Sequence, residues 1–287
     1  MNMRHPVALA LVLSAGTIPA IRQAPTFSTR LEAVRVDVLV TDRGQLVREL
    51  KPADFDVSDN GVAQVVDLVT FEQVPLNVIL ALDMSASVAG ERLDHLRSAG
   101  SAMLNQLKKD DQAALITFNH SVALGTALTT NVGAVRMALT QAEAAGYTSL
   151  IDGTYAGMML GDSDVGRALL IVFSDGVDTS SWLVPDMVLE TARRSDVVVY
   201  SVAVRGPART TFLSELSALT GGALFEVDST KNLNAIFLGI LDEFRHRYLL
   251  SYSPRGVSTD GWHRLDVRVK GRKATVKARP GYLAGSN

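Results

Sequence analysis

The chain has 287 residues, 47% of them hydrophobic and 20% charged, enough for one large domain or two smaller ones around a sizeable core. Its 28 Lys and Arg against 30 Asp and Glu leave a formal net charge of -2 without a long run of either sign, so nothing in the charge pattern points to capture of nucleic acid or an anionic membrane. Cysteine is absent, which excludes disulfides, thiolate catalysis, zinc-cysteine sites and lipid attachment through an N-terminal Cys, and leaves the fold to packing alone.

The N-terminus reads as an address. Arg4 lies in Met1–His5, Val7–Ala15 is an apolar run, and Thr17, Pro19 and Ala20 end it. That is the charged, apolar, small-residue order of a secretory signal, about half as long as a membrane span requires. Residues 1–24 are therefore expected to be a signal peptide, with the mature chain starting between Ile21 and Ser28. The protein is then exported: periplasmic, at the cell surface or secreted. Pro19 argues against a retained anchor, and no other segment approaches the length of a span. The competing reading is a frayed apolar N-terminus on a cytoplasmic protein.

Residues 29–73 have a strand rhythm. "LEAVRVDVLVTD" puts Val34, Val36, Val38 and Val40 on one face, and Asn60-Gly61 in "DFDVSDNGVAQVV" is a two-residue hairpin signal. Residues 74–247 change to short apolar runs, "NVILALD", "AALITF", "RALLIVFSD", "DVVVYSVAV" and a weaker "GALFEV", separated by helical patterns. The helical intervals include "RLDHLRSAGSAMLNQLKK", "GAVRMALTQAEA", "PDMVLETARRS", "TTFLSELSALT" and "LNAIFLGILDEFRHR". Such alternation predicts right-handed crossovers and a mostly parallel, doubly wound α/β sheet covered on both faces. In residues 248–287 the strand rhythm returns as "YLLSYSP", "HRLDVRVK" and "KATVKARPGYL", with a turn at Gly271. Strands so short are marginal alone, so they are expected to pair with residues 29–73 in a small flanking β-sandwich.

The apolar run from Val78 to Leu82 ends in Asp83, followed at alternate positions by Ser85 and Ser87. In an open α/β sheet the ligand crevice lies outside the carboxyl ends of the strands, and alternate residues of an extended segment point the same way. "GYTSLIDG" places Thr148 just before a predicted helix, and "IVFSDGVDTSS" places Asp175 at the end of another strand. Together these are two carboxylates and three hydroxyls with no His or Cys. Such hard oxygen donors point to Mg²⁺ or Mn²⁺, with Ca²⁺ also compatible, and away from Zn²⁺.

This constellation resembles the metal-ion-dependent adhesion site of von Willebrand factor type A domains, where Asp-x-Ser-x-Ser, a Thr and an Asp come from three successive loops. Here they stand as "DMSAS", "YTSL" and "FSDG", with Ala86 where most members have Gly. The segments "LKPADFDVSDNG" before the domain and "ARPGYLA" after it resemble the von Willebrand factor A-related proteins of acidobacteria, over nearly all of the mature chain. The resemblance implies a Rossmann-like domain that binds protein rather than an enzyme. It also implies direct ligation of a cation by Asp83, Ser85 and Ser87, with Thr148 and Asp175 acting directly or through water. One coordination position would stay open for an Asp or Glu carboxylate from a partner protein.

Taken singly, each residue has a plain structural role. Asp83, Ser85 and Ser87 suit the start of a helix near Glu91, Thr148 suits a helix cap, and Asp175-Gly176 suits a turn. Their ordered coincidence on three sheet-end loops favours a joint site. Asp178 is expected to cap a loop rather than bind metal.

Enzymatic readings fit less well. An aspartyl-phosphate site would place a second Asp at Ser85, a nucleophile elbow would need Gly at 83 and 87, and no phosphate-binding glycine motif follows a strand. The histidines at 5, 95, 120, 246 and 263 accompany no triad motif and are expected to be surface or structural residues. Trp182, beside the third loop, is a candidate partner contact. The basic segment "VKGRKATVKARPGY" is expected to be a solvated hairpin, a polyanion contact through Lys270, Lys273 and Lys277 being the weaker reading. The expected function is a divalent-cation-dependent adhesion module. The alternative is an assembly scaffold with a vestigial metal site that makes its contacts through the β-platform, and a metal-dependent hydrolase stands third.

Overall fold

Alternating valines build the first strand. In the computed structural model, which describes residues 33–163, 166–206 and 211–285, β1 (Val34–Asp42) turns Val34, Val36, Val38 and Val40 into a core. The expected signal peptide, residues 1–24, lies outside the described residues. A short β2 (Gln45–Leu46) folds back on β1. β3 (Phe55–Asp59) and β4 (Val62–Gln64) form the hairpin expected at Asn60-Gly61, whose φ values of 48° and 82° suit a turn that needs the left-handed region twice. β5 (Leu68–Phe71) leads into the middle of the chain.

There β6 (Leu76–Asp83) is buried along its whole length. It is followed by α1 (Glu91–Leu104), β7 (Gln112–Phe118), β8 (Val122–Thr129), α2 (Val132–Gln141), α3 (Leu150–Gly161) and β9 (Arg167–Ser174). Then come α4 (Pro185–Arg194), β10 (Val198–Val204), α5 (Thr211–Leu219), β11 (Leu224–Val227) and α6 (Leu233–Arg245). The strands lie in the order β11-β10-β9-β6-β7-β8, parallel except for β8. The sequence pattern does not predict β8. It is a largely exposed edge strand with an irregular register against β7, so it lacks the alternation that burial imposes on the inner strands. The first helix is also shorter than its pattern, ending at Leu104 before a turn in which Asp111 accepts the amide of Lys108 at 2.8 Å.

The two-residue period sorts the inner strands between two cores. Val78, Leu80 and Leu82 of β6 with Leu169, Ile171 and Phe173 of β9 pack under α1, α2 and α6. Ile79 and Ala81 with Leu170 and Val172 pack under α3, α4 and α5. Helix α3 seats against the sheet through glycines, with no room for a side chain at the contact. A Cβ on Gly153 would fall 2.4 Å from the Phe118 ring, and one on Gly157 2.7 Å from the Leu170 side chain. This close seating brings the start of α3, and Thr148 just before it, over the carboxyl ends of the strands.

After α6 come β12 (Tyr248–Tyr252), β13 (Gly261–Val269), β14 (Thr275–Lys277) and β15 (Gly281–Ala284). The last expected segment thus divides in two, and its halves join different sheets. β14 lies beside β1 in the order β14-β1-β12-β5, and β15 beside β13 in the order β15-β13-β3-β4. The two sheets enclose one core, with Phe55 packed edge-on against Tyr248. The α/β fold with a flanking β-sandwich of N- and C-terminal strands is therefore the observed architecture. Polar contacts join its two parts: Arg167 at the start of β9 pairs with Asp37 of β1, and Arg279 bonds the carbonyls of Ser195 and Arg35. Lys277 is not simply solvated, since its ammonium lies 2.9 Å from Glu243 of α6 and over the Tyr200 ring.

Candidate metal centre

Strand order reverses at β6. The chain passes from β6 to β7 on one side, while β9, β10 and β11 extend on the other, so the crevice of the switch point opens between the carboxyl ends of β6 and β9. Asp83 ends β6, Ser174 ends β9 and Asp175 follows. Three loops meet there through their backbones. The Met84 amide donates to Phe118 O at 2.7 Å, the Ala145 amide to Met84 O at 2.8 Å, and the Ala86 amide to Gly146 O at 3.1 Å. The amides of Thr179 and Ser180 donate to Thr148 O at 2.9 and 3.1 Å.

Four of the expected ligands form a continuous chain. Asp83 is fully buried; its Oδ1 accepts the Ser85 amide at 2.8 Å, and its Oδ2 accepts the Ser174 hydroxyl at 2.7 Å. The Ser85 and Ser87 hydroxyls are 3.0 Å apart, and Ser87 Oγ donates to Asp175 Oδ1 at 2.6 Å. Thr148 comes in on the neighbouring loop, its hydroxyl facing Gly176, where an added Cβ would sit 3.7 Å away. Ser85 and Ser87 are not spent as helix caps. The short 3-10 turn Ala86–Val88 begins without a side-chain bond from Ser85, and α1 is preceded by Gly90 at its cap position, with φ 76° and no side-chain cap. Asp178 does cap: its carboxylate accepts the amides of Ile151 at 3.0 Å and Ser181 at 3.2 Å, fixing the start of α3.

Burial pushes the Asp83 carboxyl above its ordinary range, the hydrogen bonds from Ser85 and Ser174 oppose the rise, and the nearby Asp175 charge adds to it. A cation at these oxygens would relieve that penalty. The donor set is hard and lightly charged, two carboxylates with hydroxyls, which fits Mg²⁺ or Mn²⁺ and also Ca²⁺. Among the described residues there is no group of three or more His, Cys, Asp or Glu side chains placed to hold a metal, so a cation here depends on the serine oxygens.

Sequence reasoning missed two residues of this site. Ser174 orients Asp83, and its adjacency to Asp175 was the available signal. Arg92 of α1 pairs with Asp175 Oδ2 and donates to Ser87 O at 3.3 Å. Its signal was a base in the first turn of a helix, where the dipole favours acids. Beside Thr148 lies a cavity of about 460 Å³ lined by residues including His120, Ser149, Asp152, Tyr155 and Trp182, the last 93% exposed. Ser149, His120 and Asp152 do not make a triad there. Ser149 Oγ bonds Ser180 Oγ at 2.9 Å, and the Asp152 carboxylate accepts the amides of Trp182 and Leu183, each at 2.9 Å.

A family model described as "von Willebrand factor type A domain" matches residues 77–238. Inter-alpha-trypsin inhibitor heavy chain H1 of Sus scrofa is 23% identical over 253 residues, which cover 81% of this chain and 28% of that protein. The chain thus spans little more than a quarter of that relative. Among solved structures, a von Willebrand factor type A protein from Catenulispora acidiphila is similar with a TM-score of 0.56 at 11% identity, covering 80% of this chain and 73% of that one. Proximal thread matrix protein 1 from the mussel byssus, in a structure described as having a zinc-occupied MIDAS motif, gives 0.55 at 14% identity over 63% and 48% of the two chains. At these identities the likeness is one of fold.

Proposed function

The chain belongs to the von Willebrand factor type A domain family, a module commonly used for metal-dependent adhesion between proteins, and from that premise we propose that it is an exported, non-enzymatic protein-binding module. The observation that carries the reading is the Ser85–Ser87 hydroxyl pair. It is free of any helix cap and held between a buried Asp83 and Asp175 at the switch point of the sheet. Asp83, Ser85 and Ser87 would hold a divalent cation directly, with Thr148 and Asp175 acting directly or through water. Bound there, the cation supplies one coordination position open to an Asp or Glu carboxylate of a partner protein. Ser174 and the Ser85 amide hold the Asp83 carboxylate in place, and the amides that bind Thr148 O fix the second loop against the third.

The zinc reported for the mussel protein supports divalent occupancy of a site of this kind, while the all-oxygen donors here favour Mg²⁺ or Mn²⁺. Export rests on the N-terminal pattern. No helix among the described residues is long and apolar enough to cross a membrane.

The test is calorimetric titration of Mg²⁺ and Mn²⁺ into the chelator-stripped chain beside Asp83→Ala. Saturable binding that the variant loses is the expected result, and a folded wild type that binds neither ion would sink the proposal. A second reading, an assembly scaffold that works through the β-sandwich, has its own observation: Val65, just after β4, and Leu68, which opens β5, are 68% and 55% exposed. Partner capture that survives chelator would favour it.

A further inference from the structure

The cation site contains a charge that its oxygen donors do not account for. Arg92 is the second residue of α1, where the positive end of the helix dipole disfavours a base, so local helix energetics do not explain it. Its guanidinium, about half exposed, reaches the fully buried Asp175 side chain and the carbonyl of Ser87. Asp175 is thereby divided: Oδ1 takes the Ser87 hydroxyl at 2.6 Å and Oδ2 takes Arg92. The other carboxylates on these loops are committed elsewhere, Asp152 and Asp178 each to backbone amides. Asp152 and Asp178 keep their charge but stand outside the hydroxyl pair; the charged groups in direct contact with the Ser85–Ser87 segment are two carboxylates, Asp83 and Asp175, and one guanidinium.

We propose that Arg92 belongs to the binding site, lowering its affinity for the resident cation and leaving the loaded site positive, so that it recruits a carboxylate. The inference rests on the cation-binding reading above. Asp83, Asp175 and Arg92 together carry a formal charge of minus one, which a divalent ion converts to plus one and a single partner carboxylate neutralises. Without Arg92 the loaded site is already neutral, so it offers a partner carboxylate no net attraction and carries a charge of minus one once that carboxylate is bound. Arg92 thus exchanges strength of cation binding for attraction to an acidic partner, and it is a positioning residue for Asp175 as well as a source of charge. A lysine at this position keeps the charge but loses the planar fork, so charge and geometry separate experimentally.

The experiment titrates Mn²⁺ into the chelator-stripped full chain as wild type, Arg92→Gln, Arg92→Lys and Lys109→Gln. Lys109 is exposed at the opposite end of the sheet and controls for net charge alone. Circular dichroism checks that each variant folds. In R92Q the affinity for Mn²⁺ is expected to rise about three- to fivefold, the upper size of a partly screened charge contact, while R92K and K109Q stay within about twofold of wild type. The second readout is paramagnetic broadening of the acetate methyl resonance by the Mn²⁺-loaded protein, strong for wild type and reduced for R92Q. Unchanged or weaker Mn²⁺ binding in R92Q, or equal acetate broadening, overturns the role of Arg92 while leaving the cation site intact. Binding by R92Q alone would be its extreme form. Binding by none of the folded chains removes the cation reading itself and this inference with it.

Discussion

At the amino end of the central sheet, Arg167 at the start of β9 is paired with Asp37 of β1, and Arg245 lies 2.8 Å from Asp111. At the carboxyl end, Asp83 is as deeply buried, yet the groups that meet it are a serine hydroxyl and an amide. The amino end faces the β-sandwich and has no need of an ionic ligand, because its charges are already matched within the chain. The carboxyl end retains an unmatched carboxylate at some cost to the fold. A buried charge matched by its own chain is a sign of assembly, and one left to neutral donors is a sign of a ligand.

The first way to break this comparison is at the seam. Arg167, with its side chain 1% exposed, also lies over the Phe244 ring and donates to Phe244 O. Arg167→Ala would leave Asp37 buried without a partner and is expected to cost about 3–5 kcal/mol in urea unfolding. A loss below about 1 kcal/mol would mean that the sandwich and the α/β layer are held by their apolar contacts alone. At the other end, Ser174→Ala removes a donor to Asp83 and is expected to cost about 1–3 kcal/mol. It should also weaken Mn²⁺ binding about tenfold, since Asp83 loses the group that orients it. A stability loss without a change in Mn²⁺ affinity would make Ser174 a packing residue only.

The pH dependence of the two ends should have opposite signs. Burial raises Asp83 above its ordinary range, so in chelator its contribution to stability is present below that range and is lost as pH rises through its folded pKa. Burial also pushes Glu243 up, but hydrogen bonds from Tyr200 and Lys277 and the charges of Lys277 and Arg247 outweigh it and hold the carboxyl below its ordinary value. Its contribution is therefore present above the ordinary carboxylate range and is lost as pH falls through the folded pKa. Asp83→Asn should accordingly stabilise the chelated protein at neutral pH, and Glu243→Gln should destabilise it. Both differences from wild type should shrink toward acid. Parallel pH profiles for the two variants would dissolve the contrast between the ends.

Local periodicity accounts for what the sequence revealed. The valines of β1, the buried runs of β6 and β9 and the Asn60-Gly61 turn are each dictated by residues close together in the chain. The "DMSAS" loop was legible for the same reason, since an apolar strand that stops at a carboxylate is a local pattern. Strand β8 was not, because an exposed edge imposes little alternation. Partners across the fold were invisible as well. Arg92 and Asp175 are 83 residues apart, and Arg167 and Asp37 130. His263, expected only to be a surface or structural residue, is fully buried 2.7 Å from Asp59, whose other oxygen accepts the hydroxyls of Tyr252 and Tyr282, both at 2.8 Å. Periodicity shows which face a residue occupies, but not what lies opposite it.

The smallest expected effect on the fold is at Trp182, on the same loop as Asp175. Its side chain is 93% exposed, so Trp182→Ala should change unfolding stability by no more than about 0.5 kcal/mol. The Trp182 amide is held by Asp152, so the loop keeps its course whatever the side chain. So large an apolar side chain, left in solvent beside a cavity and next to the loops of the candidate site, is what the proposed partner contact would use. If the substitution instead costs more than about 1 kcal/mol, Trp182 packs over the cavity in solution. The carboxyl end of the sheet would then be more self-contained than its exposure indicates, and the contrast with the sandwich end would rest on Asp83 and its hydroxyls alone.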